Sequence, residues 1–205
     1  MKLPDDIVVI GAGGHAKVVI ATVRAAGGDV VAACDDDRSR WGQQILGVPI
    51  KGPIESNVLG SSPAIIGVGD NRARQAIANR IEAEWLTACH PSAVVDASVS
   101  LGPGTVVFAG TVVQPDTSVG AHAVLNTASS VDHDCIVASF VHVGPGVRLC
   151  GGVTVDEGAL LGVGAKVAPN VQIGPWATLG AGAVCVVDVA GDTTVAGVPA
   201  RSIEG

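Results

Sequence analysis

The stretch "VHVGPGVRLCGGVTVDEGALLGVGAKV", from Val141 to Val167, places an aliphatic residue at every sixth position. The same spacing runs unbroken in both directions, and the positions that carry it are Val95, Leu101, Val107, Val113, Val119, Leu125, Val131, Val137, Val143, Leu149, Val155, Leu161, Val167, Ile173 and Leu179. A small or β-branched residue lies two positions before each of them. A repeat this short cannot bury its apolar face alone, so neighbouring repeats must stack around one continuous core. The pattern predicts a parallel β-helix of short strands and tight corners.

The composition agrees with such a core and excludes one class of partner. Hydrophobic residues make up 48% of the 205 residues, but aromatic residues make up 2% and tyrosine is absent. Small aliphatic side chains in a regular lattice must therefore fill the interior. The formal net charge is −7 and the isoelectric point is near 5.0. Without a basic patch, the protein is not expected to bind nucleic acid.

The N-terminus and the cysteines indicate the compartment. In "MKLPDDIVVIG" the residues Pro4, Asp5 and Asp6 interrupt the apolar run that a secretory signal would need, and no apolar stretch is long enough to span a bilayer. We therefore expect a cytoplasmic protein that does not enter a membrane. The five cysteines form no C-x-x-C pair, which favours reduced thiols and argues against a metal site.

The N-terminal part of the chain has a different organisation from the repeat. The segment "IVVIGAGGHAKVVIATVRAAGG" reads as a buried strand, a glycine-rich turn and a helix, and "DVVAACDDD" reads as a second strand. A third strand and a helix follow in "PAIIGVGDNRARQAIANRI". We therefore predict a Rossmann-like α/β unit over residues 1–85 and a β-helix over residues 91–205, with the tail from Gly191 as its C-terminal cap.

A charged cluster interrupts the apolar repeat. Asp132, His133 and Asp134 lie together, and His142 follows nine residues after His133. Histidine changes its charge near neutral pH, and a neighbouring carboxylate raises its basicity or fixes its tautomer. We predict that His133 is a general base and that Asp134 is its partner. Cys135 falls on the small inward position of the repeat and is expected to be core.

The glycine-rich turn allows more than one interpretation. Gly11, Gly13 and Ala16 satisfy the G-x-G-x-x-G/A spacing between a strand and a helix, which is typical of dinucleotide binding. Acidic residues near position 35 lie close to the distance expected for a ribose contact. A nicotinamide cofactor would leave the two histidines unexplained, and the glycines could also be purely structural.

Several motifs together resemble a known family. The six-residue register, the "DHD" run at 132–134, the "HV" at 142–143 and the terminal "VAGVPAR" are similar to the left-handed β-helix acyltransferases. The segments "GAGGHAKVV", "DDD" and "IGVGDNRAR" narrow the resemblance to the bacterial nucleotide-sugar acetyltransferases. This group includes UDP-4-amino-sugar N-acetyltransferases, perosamine N-acetyltransferases and sialic acid O-acetyltransferases.

The resemblance implies a geometry for the site. In that family three hexapeptides make one triangular coil of eighteen residues, which would stack His133 beside Gly151 and Asp134 beside Gly152 and leave open space for a ligand. His133 and His142 would then lie half a coil apart, so one chain should not bring both to one corner. We expect a closed cyclic oligomer, a homotrimer, with each site between two subunits.

The resemblance also implies roles for individual residues. It places catalysis on His133 and Asp134. The residues that it implies for acetyl-CoA are His142, Asn126, Gly151, Val163 and Ala181. The residues that it implies for a nucleotide-linked amino sugar are Gly13, Gly14 and His15 at the diphosphate, and Asp35 and Asp36 at the base or ribose.

The function expected from all this is direct transfer of an acetyl group from acetyl-CoA to a sugar amine, with no metal and no acyl-enzyme. Three alternatives stay open from the sequence. The enzyme could acetylate a sugar hydroxyl, as sialic acid O-acetyltransferases do, or it could be NAD-dependent, or the solenoid could be non-catalytic. The sequence leaves the nucleotide base undetermined.

Overall fold

Residues 3–55 and 60–203 are described by a computed structural model, and the contacts within the chain divide it after Pro91 into two units. The first unit contains a five-stranded sheet in the order β3-β4-β2-β1-β5. Its strands are β1 Ile7–Ile10, β2 Val30–Cys34, β3 Gln44–Ile45, β4 Val48–Lys51 and β5 Ala64–Ile66. A further short strand, β6 Ala88–Cys89, is not part of this sheet. All neighbours in this sheet are parallel except β3 and β4. The Rossmann-like α/β organisation predicted for this part is confirmed.

Within the part of the unit that the structure describes, two helices and a 3-10 turn connect these strands. The helices are α1 Gly14–Ala25 and α2 Asn71–Arg80, and the 3-10 turn is Arg38–Arg40. Strand β1 is buried along its whole length, as expected for an inner strand of a parallel sheet, where both faces are covered. Asp70 is the N-cap of helix α2, and its carboxylate accepts the Ala73 N–H at 2.7 Å.

The hairpin of β3 and β4 was not predicted from the sequence. Its two-residue turn is Leu46–Gly47, and both residues have positive φ, 50° and 79°. Two-residue hairpins need this conformation, because it matches the twist of the flanking strands. Leucine is an unusual residue there, so the sequence gives little sign of the turn.

The second unit is a parallel β-helix with three faces. The first face contains β7 Val94–Val95, β10 Val112–Val113, β13 Ser130–Val131, β16 Arg148–Leu149, β19 Lys166–Val167 and β22 Val184–Cys185. The second face contains β8 Ser100–Leu101, β11 Ser118–Val119, β14 Ile136–Val137, β17 Thr154–Val155 and β20 Gln172–Ile173. The third face contains β9 Val106–Val107, β12 Val124–Leu125, β15 His142–Val143, β18 Leu160–Leu161, β21 Thr178–Leu179, β23 Thr194–Ala196 and β24 Arg201–Ser202.

The strand register shows a coil of eighteen residues. Val113 pairs with Val131, and Val131 pairs with Leu149, each eighteen positions further along the chain. The second residue of each of these strands points inward, and Val131, Val143 and Leu161 are fully buried. Cys135 is also fully buried, in the inward position that the repeat predicts for it. The predicted fold class, an α/β unit followed by a β-helix of hexapeptide repeats, is thus confirmed.

The corners between the faces have a regular backbone. One residue of each corner lies in the left-handed region with φ between 54° and 74°, and these residues are 104, 110, 116, 122, 128, 134, 140, 146, 152, 158, 164, 170, 176 and 182. Half of them are glycine, but Asp134 also adopts this conformation, with φ 58°. The corner that joins the first and second faces is called the first corner below, and it contains residues 132–135 and 150–153. The corner that joins the third and first faces, containing residues 126–129, 144–147, 162–165 and 180–183, is called the third corner.

The last strands end the column on its third face. β23 pairs in parallel with β21, and β24 turns back to pair antiparallel with β23.

Among the described residues, no helix has both the length and the apolar character needed to cross a bilayer.

Candidate active site

The first corner presents a histidine paired with a carboxylate. The His133 Nδ1 lies 2.7 Å from the Asp134 Oδ2, and the two side chains are 61% and 66% exposed. A carboxylate only accepts hydrogen bonds, so the imidazole carries its proton on Nδ1 in this contact. The other ring nitrogen, Nε2, then has a free lone pair. This is the arrangement that a general base requires.

The surroundings of His133 also set its basicity. The hydrogen bond to Asp134 raises the pKa of His133, and the nearby negative charge of Asp132 raises it further. Asp132 also accepts the His133 backbone N–H at 2.8 Å, so its carboxylate is held beside the histidine. The corner therefore makes the imidazole a stronger base than a free histidine.

A glycine in the next coil makes room for the imidazole ring. A Cβ atom built on Gly151 would lie 2.6 Å from the His133 Cε1 and 2.7 Å from Nε2, which is closer than any real side chain could approach. The positions equivalent to Gly151 occur at every sixth residue from Ala97 to Ala181. All of them carry a side chain except Gly151 itself. The expected gap beside His133 is therefore filled by the ring itself, which lies against the Gly151 backbone.

A groove opens beside this ring. Its volume is about 400 Å³, and it is lined by Asp132, His133, Asp134, Cys150, Gly151, Gly152, Pro169 and Asn170. The space next to Gly152 is taken up by the Asn170 side chain, which a Cβ at Gly152 would meet. The charged side chains of this lining are two carboxylates and the histidine. The groove thus favours a ligand that brings a neutral or positively charged group.

The third corner holds a second polar pair. The Asn126 Nδ2 lies 2.9 Å from the His142 Nε2, and the Asn126 Oδ1 accepts the Thr127 N–H at 2.8 Å. The second contact fixes the orientation of the amide, so its NH₂ group donates to His142. His142 therefore presents Nδ1 as a donor. A ring fixed in this way can donate to a carbonyl or phosphate oxygen of a ligand.

Two other predicted coenzyme residues lie at the same third corner. Val163 is 56% exposed, and Ala181 stands eighteen residues further along the chain. The Gly182 N–H donates to the Val163 carbonyl at 2.8 Å, which ties the two coils together. Gly151, by contrast, belongs to the first corner. One chain therefore does not gather the predicted site residues at one place but divides them between two corners.

The predicted diphosphate residues lie at the start of α1 in the first unit. Gly13 caps α1 without a side-chain hydrogen bond, and a Cβ built on Gly13 or Gly14 would meet no atom within 4 Å. His15 follows in the first turn and is partly buried. An open helix N-terminus of this kind favours an anion.

The two predicted base or ribose residues are engaged with the protein. Asp35 accepts the Ala12 N–H at 2.7 Å and the Asp37 N–H at 2.9 Å. Asp36 accepts the Ile54 N–H at 2.9 Å and pairs with Arg80 at 2.9 Å. Although partial burial acts in the opposite direction, these two hydrogen bonds lower the pKa of Asp36. Both carboxylates therefore hold neighbouring groups of the first unit in place.

Two arginines in the first unit make contacts that were not predicted from the sequence. The Arg40 Nη1 donates to the Ala12 carbonyl at 2.8 Å, and Asp35 accepts the Ala12 N–H, so the two side chains hold the peptide groups on both sides of the Ala12 Cα. Arg74 is buried in α2 and donates to two carbonyls of the loop after β5. Neither residue stands at a spacing that marks such a contact in the sequence.

No group of three or more histidine, cysteine or acidic side chains is arranged to hold a metal ion in residues 3–55 and 60–203.

Comparisons with known proteins show a family match and similar solved structures. The family described as the PglD N-terminal domain matches residues 6–81. The structure of PerB from Caulobacter crescentus in complex with CoA and GDP-perosamine is 42% identical, has a TM-score of 0.89 and covers 97% of each chain. The acetyltransferase domain of PglB from Neisseria gonorrhoeae FA1090, in complex with acetyl coenzyme A, is 34% identical with a TM-score of 0.89, covering 98% of this chain and all of that one.

A curated relative supports the same assignment over a shorter match. The GDP-perosamine N-acetyltransferase of Escherichia coli O157:H7 is 27% identical over 148 residues, which are 68% of this chain. The match spans 66% of that relative's length, slightly less than two thirds. The repeat, the histidine pair and the solved structures that match over nearly the whole length lead to one conclusion: the chain belongs to the nucleotide-sugar acetyltransferases of the left-handed β-helix acyltransferase superfamily.

Proposed function

We propose that this protein is an acetyl-CoA-dependent N-acetyltransferase that acts on the amino group of a nucleotide-linked sugar, with His133 as the general base. The observation that carries the proposal is the His133–Asp134 pair at 2.7 Å, with the ring lying against Gly151 beside a groove. PerB, with GDP-perosamine and CoA bound, supports the substrate class.

The chemistry needs one proton transfer to the enzyme. The sugar amine attacks the thioester carbonyl, a new N–C bond forms, and the C–S bond breaks to release the thiol of CoA. His133 Nε2 accepts the proton that the amine loses, while Asp134 stabilises the imidazolium through Nδ1. The imidazolium then returns the proton to the leaving sulfur. Atoms and charge balance without an acyl-enzyme or a metal.

The charge of the groove favours an amine over the sialic acid alternative. Asp132 and Asp134 lie on either side of His133 in the chain, and both line the groove. These carboxylates attract the ammonium form of the sugar, which loses one proton to solvent to become the attacking amine, and they repel the carboxylate that sialic acid carries. N-acetylation of an amino sugar therefore fits the site better than O-acetylation of sialic acid.

The coenzyme is proposed to bind at the third corner. Asn126 contacts His142 there, and Val163 and Ala181 lie exposed on successive coils of the same corner. Because His133 lies at the first corner, the coenzyme and the base meet only if two subunits pair these corners. We propose a homotrimer in which each site uses His133 of one subunit and the third corner of another.

The nucleotide part of the substrate is proposed to bind the first unit, within residues 1–85. The open N-terminus of α1 at Gly13 and Gly14 receives the diphosphate, next to His15. Asp35 and Asp36 border the base and ribose. Residues 91–205 then form the acetyl-transferring domain.

The test is release of CoA thiol with amino sugars linked to UDP, GDP or CMP, and with sialic acid, measured with a thiol reagent. One of the nucleotide amino sugars should be turned over and sialic acid should not. His133→Ala should lower kcat by about 10²-fold or more, as the loss of a general base does. The matched control is His90→Ala, which removes a histidine outside the proposed site and should leave kcat unchanged.

The opposite results have clear meanings. If His133→Ala keeps near-normal turnover at saturating substrates, His133 is not the base. If thiol is released only with sialic acid, the charge argument for an amine is wrong. If no substrate releases thiol but nicotinamide cofactor raises the melting temperature, the acetyltransferase assignment fails.

Shared sites can be tested by mixing two variants. His133→Ala and His142→Ala each damage every site when alone, the second mainly through the KM for acetyl-CoA. If the two histidines of a site come from different subunits, randomly mixed trimers restore both histidines at about a quarter of the sites. No recovery after subunit exchange, together with a monomeric mass by light scattering, would contradict the proposed assembly.

A further inference from the structure

Helix α2 contains a buried arginine that holds the loop in front of it. The Arg74 side chain is 1% exposed. Its guanidinium donates to the Val68 carbonyl at 3.2 Å and the Gly69 carbonyl at 3.1 Å, and to the Asn71 Oδ1 at 2.8 Å. One charged group thus fixes the loop between β5 and α2 by two hydrogen bonds and ties it to the first residue of α2 by a third.

This is an unfavourable place for a cation. Burial lowers the pKa of Arg74 to about 10, with Asp70 acting in the opposite direction. The first turn of a helix is also the positive end of its dipole. Removing the guanidinium alone would leave its buried carbonyl and amide acceptors without this donor, so the charge is kept for the hydrogen bonds that it makes. What the guanidinium supplies is a fixed loop conformation.

The loop held by Arg74 packs tightly against the glycine-rich turn. A Cβ atom built on Gly67 would lie 2.9 Å from the Ala16 Cβ, so the two backbones are already as close as they can be. Gly69 faces the His15 ring, where a Cβ would lie 3.6 Å from Cγ. A shift of the Gly69 peptide therefore moves the surface against which His15 rests.

The sheet order places both segments at a binding edge. Strand β1 lies between β2 and β5. The chain therefore passes from β1 to β2 on one side of β1 and later enters β5 on its other side. In open α/β sheets, ligands bind outside the carboxyl ends of the strands at the point where the order reverses. The turn after β1 and the loop after β5 form the two walls at that point.

We propose that Arg74 is a positioning residue for the nucleotide-sugar site: it holds the Val68 and Gly69 carbonyls, and through Gly69 it fixes His15 at the N-terminus of α1. This inference rests on the proposed function, in which Gly13, Gly14 and His15 receive the diphosphate. Arg74 itself is 1% exposed and therefore does not contact the substrate.

The experiment compares Arg74→Lys with Arg72→Lys. Lysine keeps the charge but cannot reach both carbonyls and Asn71 at once, whereas Arg72 is exposed on the same helix. For Arg74→Lys we expect the KM for the nucleotide sugar to rise about tenfold, the effect of losing one charged hydrogen bond. The kcat and the KM for acetyl-CoA should stay within about twofold, and Arg72→Lys should leave all three unchanged.

Chemical rescue separates positioning from folding. Arg74→Ala leaves a space shaped for guanidinium, and millimolar guanidinium should lower the raised KM for the nucleotide sugar. If the variants lose thermal stability but the folded enzyme keeps its KM, Arg74 is structural and the inference is wrong. If the wild-type enzyme binds no nucleotide sugar, or if His15→Ala has no effect on its KM, the proposed substrate site fails, and the role of Arg74 there fails with it.

Discussion

Gly151→Ala should inactivate the enzyme without destabilising it. A Cβ at this position would lie 2.6 Å from the His133 Cε1, whereas carbon atoms in contact are about 3.5–4.0 Å apart. The ring must therefore retreat by about 1 Å, which also disturbs its 2.7 Å contact with Asp134. A displacement of this size can lower a rate by about 10²-fold. We expect kcat/KM to fall by about that factor.

The stability of the same variant should not fall. Gly151 is not among the residues with positive φ, and the equivalent positions from Ala97 to Ala181 all carry a side chain, so the backbone accepts alanine. Replacing such a glycine reduces the entropy of the unfolded chain and contributes about 0.4–1 kcal/mol of stability. Differential scanning calorimetry should therefore show an unchanged or slightly higher melting temperature.

A double variant tests whether the effect passes through the imidazole. If Gly151 serves only to make room for His133, the variant carrying both Gly151→Ala and His133→Ala should be no slower than His133→Ala alone. A loss of less than about threefold in the single Gly151 variant would refute the reasoning about the ring. A double variant much slower than His133→Ala would show that Gly151 has a second role, such as the coenzyme contact that family resemblance implies.

Three further changes should have separable effects. Asp134→Asn replaces the carboxylate that raises the pKa of His133 by a neutral amide, so the acid limb of the kcat/KM profile should move to lower pH; an unmoved limb would mean that another group titrates. Asn126→Ala removes the amide that contacts the His142 Nε2 and should raise the KM for acetyl-CoA about tenfold with little change in kcat; an unchanged KM in steady-state assays would exclude the pair from coenzyme binding. Val143→Ala should lower the free energy of unfolding by about 2–3 kcal/mol in urea titrations, because Val143 is fully buried; a loss below about 0.5 kcal/mol would mean that the column repacks around the gap.

The fold of the second unit could be predicted because its signal is repeated. Each coil buries the same kind of side chain at the same position, so a pattern that is weak in one strand becomes strong over fifteen. The corners carry no such signal. The left-handed position accepts glycine, but also Phe140, Asn170 and Trp176, so the sequence does not show which residue turns the chain.

The candidate site could be predicted in part. The composition of the "DHD" run singles out His133, and the coil length places Gly151 next to it. The contacts made by Arg40 and Arg74 could not be predicted, because they join side chains to main-chain carbonyls. A carbonyl is present at every residue, so the sequence carries no mark of which one is chosen.

The pairing of each strand with the one eighteen residues later has a consequence for insertions. Adding one residue to a coil would exchange the inward and outward positions of the side chains that follow on that face. Adding six residues would move all later residues to the next face of the column. Adding a full eighteen keeps both face and direction and displaces everything beyond it by one layer, about 4.8 Å. A duplicated coil between Pro145 and Val163 would thus lengthen the distance from His142 to Ala181 by one layer while leaving His133 and Asp134 together.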